Sequence, residues 1–539
     1  MTVSVRSRGA DLILSGGRIV TMDDARRVVS ALAVKDGRVL LAGSEPEVRA
    51  AAHEGARVVD LAGRTVVPGM IDAHTHVELT AYARHFFSDA RGLTVPQLLD
   101  RVAELVAQRP DGVWIVLQGT FGQALPTRQQ LDAVAPHHPV SFRWSMHKQQ
   151  VNTAALKASG ITRRTVAPPG VRIHRAADGE PTGLIEEGWD LLGWRHPSPD
   201  VLSSVLQETL RELFLTNGVT TVNEVVASAA GARVYQDLAA TRTIPRMGLA
   251  LTAAPGHQPL VDADQFSSLG LRTGFGDERC RLQAVKIFLD GGRDGALRSS
   301  DLAAPAAAWG LLTRTPQRLV QELAAAADAR MQVWVHAIGD LAQECAVTAV
   351  EQIALIHPGL DHRARIEHFA NEMYEMSRLQ RLVDAGGLAV PNPGFVFAEP
   401  DDPAGRIPPG VTKYGLRTLK RMSGFVPGNS DTAGAQPFTC NPWFVMQCMV
   451  LQENRNGLVI SPDETVSVDD ALASFTRDAA YATFREDEIG TLEAGKLADL
   501  AVIDSDPFTI DPRKLHTIGT VATVIGGEVV YGELPEVQE

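Results

Sequence analysis

Cysteine is scarce in this chain. Only Cys280, Cys345, Cys440 and Cys448 occur in 539 residues, with no C-x-x-C spacing. That sparsity excludes a disulfide-stapled scaffold and a zinc–cysteine cluster, and the four read as packing residues in a reducing compartment. Long apolar runs are missing too. No stretch approaches the ~18 residues that span a bilayer, and the opening "MTVSVRSRGADLILSGG" has no apolar core after its basic residues, so the expectation is a cytoplasmic protein. The formal charge is −13 and there is no basic patch, which excludes nucleic acid and anionic membrane as partners. Charge runs, low-complexity tracts and repeats are absent as well. What remains is an ordinary globular composition, 45% hydrophobic and 21% charged, in a chain longer than one usual domain. A large core with an added or inserted domain is expected, with a small-molecule substrate and further copies of the chain, in a homo-oligomer, as partners.

Both ends of the chain read as β. Residues 1–65 alternate short strand-like runs with turns, among them the hairpin signal Lys35-Asp36-Gly37-Arg38, and residues 487–539 do the same; together they are expected to form one small β-sandwich. Between them, residues 66–486 alternate apolar strand-like runs with amphipathic stretches. "VVPGMIDAH" and runs at 218–226, 246–253, 281–292, 331–340, 363–370, 386–394 and 424–431 make eight strands. Eight such units predict an α/β fold, a (β/α)8 TIM-like barrel with its active site at the carboxyl ends of the strands. The gap from about 80 to 190 is too long for a crossover and reads as an inserted subdomain over the barrel mouth, with a helix at "VPQLLDRVAELVAQ".

Polar residues stand at those strand ends. His74 and His76 close strand 1, Lys286 sits in strand 4, His336 and His368 end strands 5 and 6, and Asp431 follows strand 8. Side chains at i and i+2 share a face, so His74 and His76 converge on a point that could hold a metal; the bland alternative is one core and one solvated imidazole. His137, His138, His357 and His362 read as solvated. Lys286 needs a reason to lie in the apolar run "QAVKIFLDG". One is a salt bridge to Asp290 or Asp294. The other is carbamylation, which turns the amine into an anionic oxygen ligand for two divalent ions. Histidine nitrogen with carboxylate oxygen suits zinc, with manganese, iron or cobalt as alternatives.

"PGMIDAHTHVEL", "VKIFLDGG", "HAIGD", "RIEHFA", "GNSDTAGAQPF" and "IGTLEAGKLADLAVID" resemble, in order, the motifs of the metal-dependent amidohydrolase superfamily, in particular the branch with N-substituted formamide deformylases. The resemblance covers nearly the whole chain. It implies His74, His76 and Asp431 on one metal, His336 and His368 on a second, and Lys286 bridging if carbamylated. Where that branch usually has Asp-Gly before the histidine of the insert, this chain has Ser145 and Met146 before His147.

The chemistry expected is hydrolysis of a non-peptide C–N bond by metal-activated water, with Asp431 moving the proton. His147, Trp144, Phe121 and Arg293 are candidates for the pocket, against readings of Trp144 and Phe121 as core and Arg293 as a partner of Asp294. Rival functions are a one-metal deaminase, against which Lys286 counts, and a non-catalytic binding protein on the same barrel.

Overall fold

The computed structural model describes residues 9–194, 196–253, 260–262, 265–401 and 410–535. Its central sheet has seven parallel strands hydrogen-bonded in sequence order: β1 (Met70–Thr75), β2 (Val219–Val226), β3 (Arg246–Thr252), β4 (Cys280–Phe288), β5 (Gln332–His336), β6 (Arg365–Glu367) and β7 (Leu388–Val390). Every residue of β1 and β2 is buried, as expected of strands covered on both faces. Helices pack outside through stripes spaced three and four residues apart. Pro199–Leu213 buries Leu202, Val205, Leu206 and Leu210. Pro316–Asp328 buries Leu319, Leu323 and Ala326, and starts where the Thr315 hydroxyl accepts the Arg318 N–H with proline at the first position. The fold is a TIM-like α/β fold.

The eighth strand, expected at 424–431, is not formed. The segment has no regular strand structure but still lies beside β1, where Ala73 N–H donates to Gly428 O (3.1 Å), Asp431 N–H to His74 O (2.9 Å) and His76 N–H to Thr432 O (3.0 Å). On its other side the bonds come from side chains: Asn392 Nδ2 donates to Asn429 Oδ1 (2.8 Å) and Asn429 Nδ2 to Pro391 O (2.7 Å). Pro391 and Pro427 carry no N–H, so a backbone ladder cannot continue there and asparagines replace it.

Strands from both chain ends join one eight-stranded sheet. In it Thr65–Pro68 pairs antiparallel with Leu500–Ile503, and Gly69 leads directly into β1. Asp36 and Gly37 have φ of +48° and +76°, the left-handed pair that a tight hairpin turn requires. Between β1 and β2 lies a separate six-stranded sheet, from Ser88–Asp89 to Pro181–Glu186. Beside it the helix Val95–Ala107 begins with a reciprocal Thr94/Gln97 cap. The four cysteines form no disulfide. No helix among the described residues is long and apolar enough to cross a membrane.

The carboxyl-terminal strands are tied to the barrel floor by a buried ion pair. At the start of β3 Arg246 Nε and Nη2 donate to the two carboxylate oxygens of Asp499 at 2.7 and 3.0 Å, with side chains 1% and 3% exposed. Asp499→Ala leaves the guanidinium beside Arg279 and Arg485 with only the more exposed Glu278 as a carboxylate partner and should cost about 3 kcal/mol, read as a lower urea midpoint. A midpoint equal to wild type would show that the pair contributes nothing net.

Candidate metal centre and active site

His74 is the penultimate residue of β1, and His76 lies one residue beyond its end, at the start of helix Val77–His85. Their rings lie 5.3 Å apart, and each Nε2 approaches Asp431 Oδ1, at 3.5 Å for His74 and 3.4 Å for His76. One ligand atom from each of the three residues falls within 4.8 Å of the others. Two imidazole nitrogens and a carboxylate oxygen so placed fit a divalent cation. His336 ends β5, and its ring meets that of His368, just after β6, edge to face at 4.4 Å. His368 Nδ1 is 3.7 Å from Asp431 Oδ2, and Lys286 Nζ is 3.5 Å from His74 Nε2. All six residues singled out in the sequence thus meet at one end of the barrel.

A model of the amidohydrolase family matches residues 57–531. The chain belongs to that family. It is 30% identical to an N-substituted formamide deformylase of Arthrobacter pascens over 97% of this chain and 98% of that one. It is 28% identical to the putative amidohydrolase YtcJ of Bacillus subtilis, over 96% and 99%. A metal-dependent hydrolase of Pyrococcus horikoshii, 22% identical, shares the fold with a TM-score of 0.72 over 93% of this chain and 99% of that one. Membership makes the protein an enzyme acting on carbon–nitrogen bonds.

The amidohydrolase site is held by residues that the sequence reading passed over. His74 Nδ1 donates to Glu367 Oε2 (2.5 Å), which also accepts from Arg365 Nη2 (3.0 Å). His368 Nδ1 donates to Asn392 Oδ1 (2.5 Å), and His336 Nε2 to Gly291 O (3.1 Å). These bonds leave Nε2 of His74 and His368 and Nδ1 of His336 as the lone-pair nitrogens. A signal for Glu367 was present: Arg365 and Glu367, two apart in a buried strand, must face the same way and pair. His368 and Asp431 have φ of +71° and +42°, a conformation costly for residues with a side chain and held by these bonds.

Burial, with Lys286 nearby, pulls the His74 pKa down to about 3, and burial takes His368 to about 4. His76 and His336 are lowered for the same reason. All four are neutral, as ligation demands. Burial alone would raise the Asp431 carboxyl, but the imidazoles of His74, His76 and His368 hold it well below its usual value. Lys286 is wholly buried, and burial takes its pKa down to about 8. The salt bridge weighed for it is not formed. Asp290 instead accepts the N–H groups of Leu297, Ile338 and Gly339, and Asp294 lies 3.9 Å from Lys148.

Phe121, Ser145, Met146, His147 and Arg293 line the cavity in front of this cluster. Trp144 stands behind, edge-on to Phe121 at 5.7 Å. His147 is 5.2 Å from His336 between ring centres and donates through Nδ1 to Glu187 (2.8 Å). Arg293 pairs with Glu399, 106 residues away, rather than with Asp294. His138 and His362, expected at the surface, are buried against the backbone carbonyls of Val113 (3.1 Å) and Ala385 (2.8 Å).

Glu367→Gln keeps the shape but weakens the hold on His74. Divalent-metal affinity should fall about 10- to 100-fold in calorimetric titration, and unchanged affinity would remove Glu367 from the centre.

Proposed function

We propose that this amidohydrolase hydrolyses a non-peptide C–N bond of a small molecule, an amide, N-formyl amine or cyclic amide. The observation that carries this reading is the convergence of His74, His76 and Asp431, with His336, His368 and Lys286 around them, at a cavity that His76, His336, His368 and Asp431 line. The donor set suits zinc, and a divalent cation bound there lowers the pKa of water toward ~7 and polarises a carbonyl. Asp431, ionised at neutral pH, accepts the proton of the attacking water as its oxygen bonds to the carbonyl carbon. It delivers that proton to the nitrogen as the C–N bond breaks, leaving an acid and an amine. In this reading His147, paired with Glu187, donates to the carbonyl oxygen. The N-substituted formamide deformylase among the relatives makes formamides the first substrates to try.

Lys286 is read as a carbamate that joins a second ion, held by His336 and His368. Supporting this are its full burial and its lack of any carboxylate within salt-bridge distance among the described residues.

Metal-loaded protein should release acid and amine from a panel of N-formyl amines, N-acyl amino acids, cyclic amides and aryl amides. Asp431→Asn should lower kcat at least about 100-fold while leaving circular dichroism unchanged. Release of ammonia from amidine-like rings, with the panel inert, would move the reading to a deaminase. Neither reaction would leave a binding protein.

Lys286→Arg cannot form a carbamate and should lose the second ion and most of the rate. Lys286→Ala should do the same and regain some activity in acetate. Two ions and near wild-type rates in Lys286→Arg would exclude the carbamate and leave a one-metal site.

A further inference from the structure

The cavity that holds His76, His336, His368 and Asp431 has a second polar wall. Glu399, its side chain 1% exposed, accepts from Arg293 Nη2 (2.8 Å), Lys413 Nζ (2.9 Å) and Tyr414 OH (2.7 Å). Glu372 accepts from Arg298 Nη2 (3.0 Å) and Tyr374 OH (2.7 Å), with Lys413 Nζ 3.7 Å away. Three cations share these two carboxylates; Arg293 and Lys413 line the cavity, while Arg298 lies behind them and also acts on the buried Asp290. Elsewhere around the cavity Glu187 is paired with His147. The remaining walls, Phe121, Phe288, Ile338 and Phe395, carry no charge to balance the surplus.

An uncompensated positive charge at a low-dielectric wall is costly, and a ligand anion removes that cost. Arg293 is the cation free to meet one. It gives one N–H to Glu399, and its side chain is 25% exposed, against 8% for Lys413 and 10% for Arg298. A guanidinium presents its donors as a planar fork that matches a carboxylate.

We propose that Arg293, backed by Lys413, binds a carboxylate on the substrate, so that the amide cleaved here belongs to an N-acyl amino acid, N-formyl derivatives included. The proposal rests on the hydrolase reading above and narrows it. The substrate spans the cavity, its amide at the histidine–aspartate cluster and its carboxylate at the cationic wall. Water adds to the acyl carbon, the C–N bond breaks, and the nitrogen leaves protonated as a free amino acid.

The test compares matched pairs: N-formylglycine, N-formylalanine and N-formylphenylalanine, each beside the formamide that lacks its carboxylate. For the metal-loaded enzyme, kcat/KM should favour the acid in at least one pair by about 10- to 100-fold. Arg293→Met should compress that ratio through KM, and Arg293→Lys should keep part of it. Equal or better turnover of the neutral member in every pair, or equal loss on both members in Arg293→Met, overturns the proposal. If no pair is hydrolysed, calorimetry decides. Binding of the acids but not of their neutral partners, lost in Arg293→Met, retains the carboxylate site and rejects the hydrolase reading, whereas no preference for the acids overturns this inference.

Discussion

The hydrogen bond from Asp431 N–H to His74 O (2.9 Å) fastens the segment that closes the barrel to its first strand. Without an eighth strand, that segment has no ladder to fix its register. It is instead pinned at three backbone points to β1 and its extension, and by asparagine side chains on the other side. The same contacts bring the Asp431 carboxylate within 3.5 Å of both histidines of β1 and its extension. Barrel closure and the ligand cluster are one structural event, so damage to Asn392 or Asn429 would reach the metal centre through the backbone as well as through His368.

The second constraint is charge in a dry enclosure. Lys286, Glu367 and Asp431 are ionised or close to it around the buried Arg365 guanidinium, and buried ions persist only in balance. Two cations and two carboxylates balance without any metal. A divalent cation adds two positive charges beside the Lys286 ammonium, and repulsion at that range disfavours loading. Conversion of the ammonium to an anion removes two positive charges, as many as one divalent cation brings. The carbamate proposed above for Lys286 would meet that electrostatic need.

The sequence exposed the parts of the site that sit in regular strands or directly at their ends. His74, Lys286, His336 and His368 were legible because a polar residue at the end of an apolar run has few places to go. The barrel closure was legible only as a place: "GFVPGNSD" lies in the right position but is not a strand, because proline removes the donors that pairing needs. Residues acting across the fold left almost no trace. Glu399 lies 106 residues from Arg293 and Glu187 lies 40 from His147, and no periodicity links such pairs. Trp144 stayed open between pocket and core because aromatic type does not say which of two edge-to-face rings faces the cavity.

Four consecutive residues after β4 show how the centre and the substrate wall are held in one frame. Asp290 takes three backbone N–H groups, Gly291 O receives His336, Gly292 N–H donates to Glu187 of the insert (3.2 Å), and Arg293 reaches Glu399. The glycines are required by space. A Cβ on Gly292 would stand 2.7 Å from the His147 ring, and one on Gly291 2.8 Å from Gly295 O. A displacement of the insert is therefore felt at His147, at Gly292 and, one peptide on either side, at His336 and Arg293. The segment between β1 and β2 thus supplies His147 to the cavity wall and meets the barrel at this short, glycine-dependent turn.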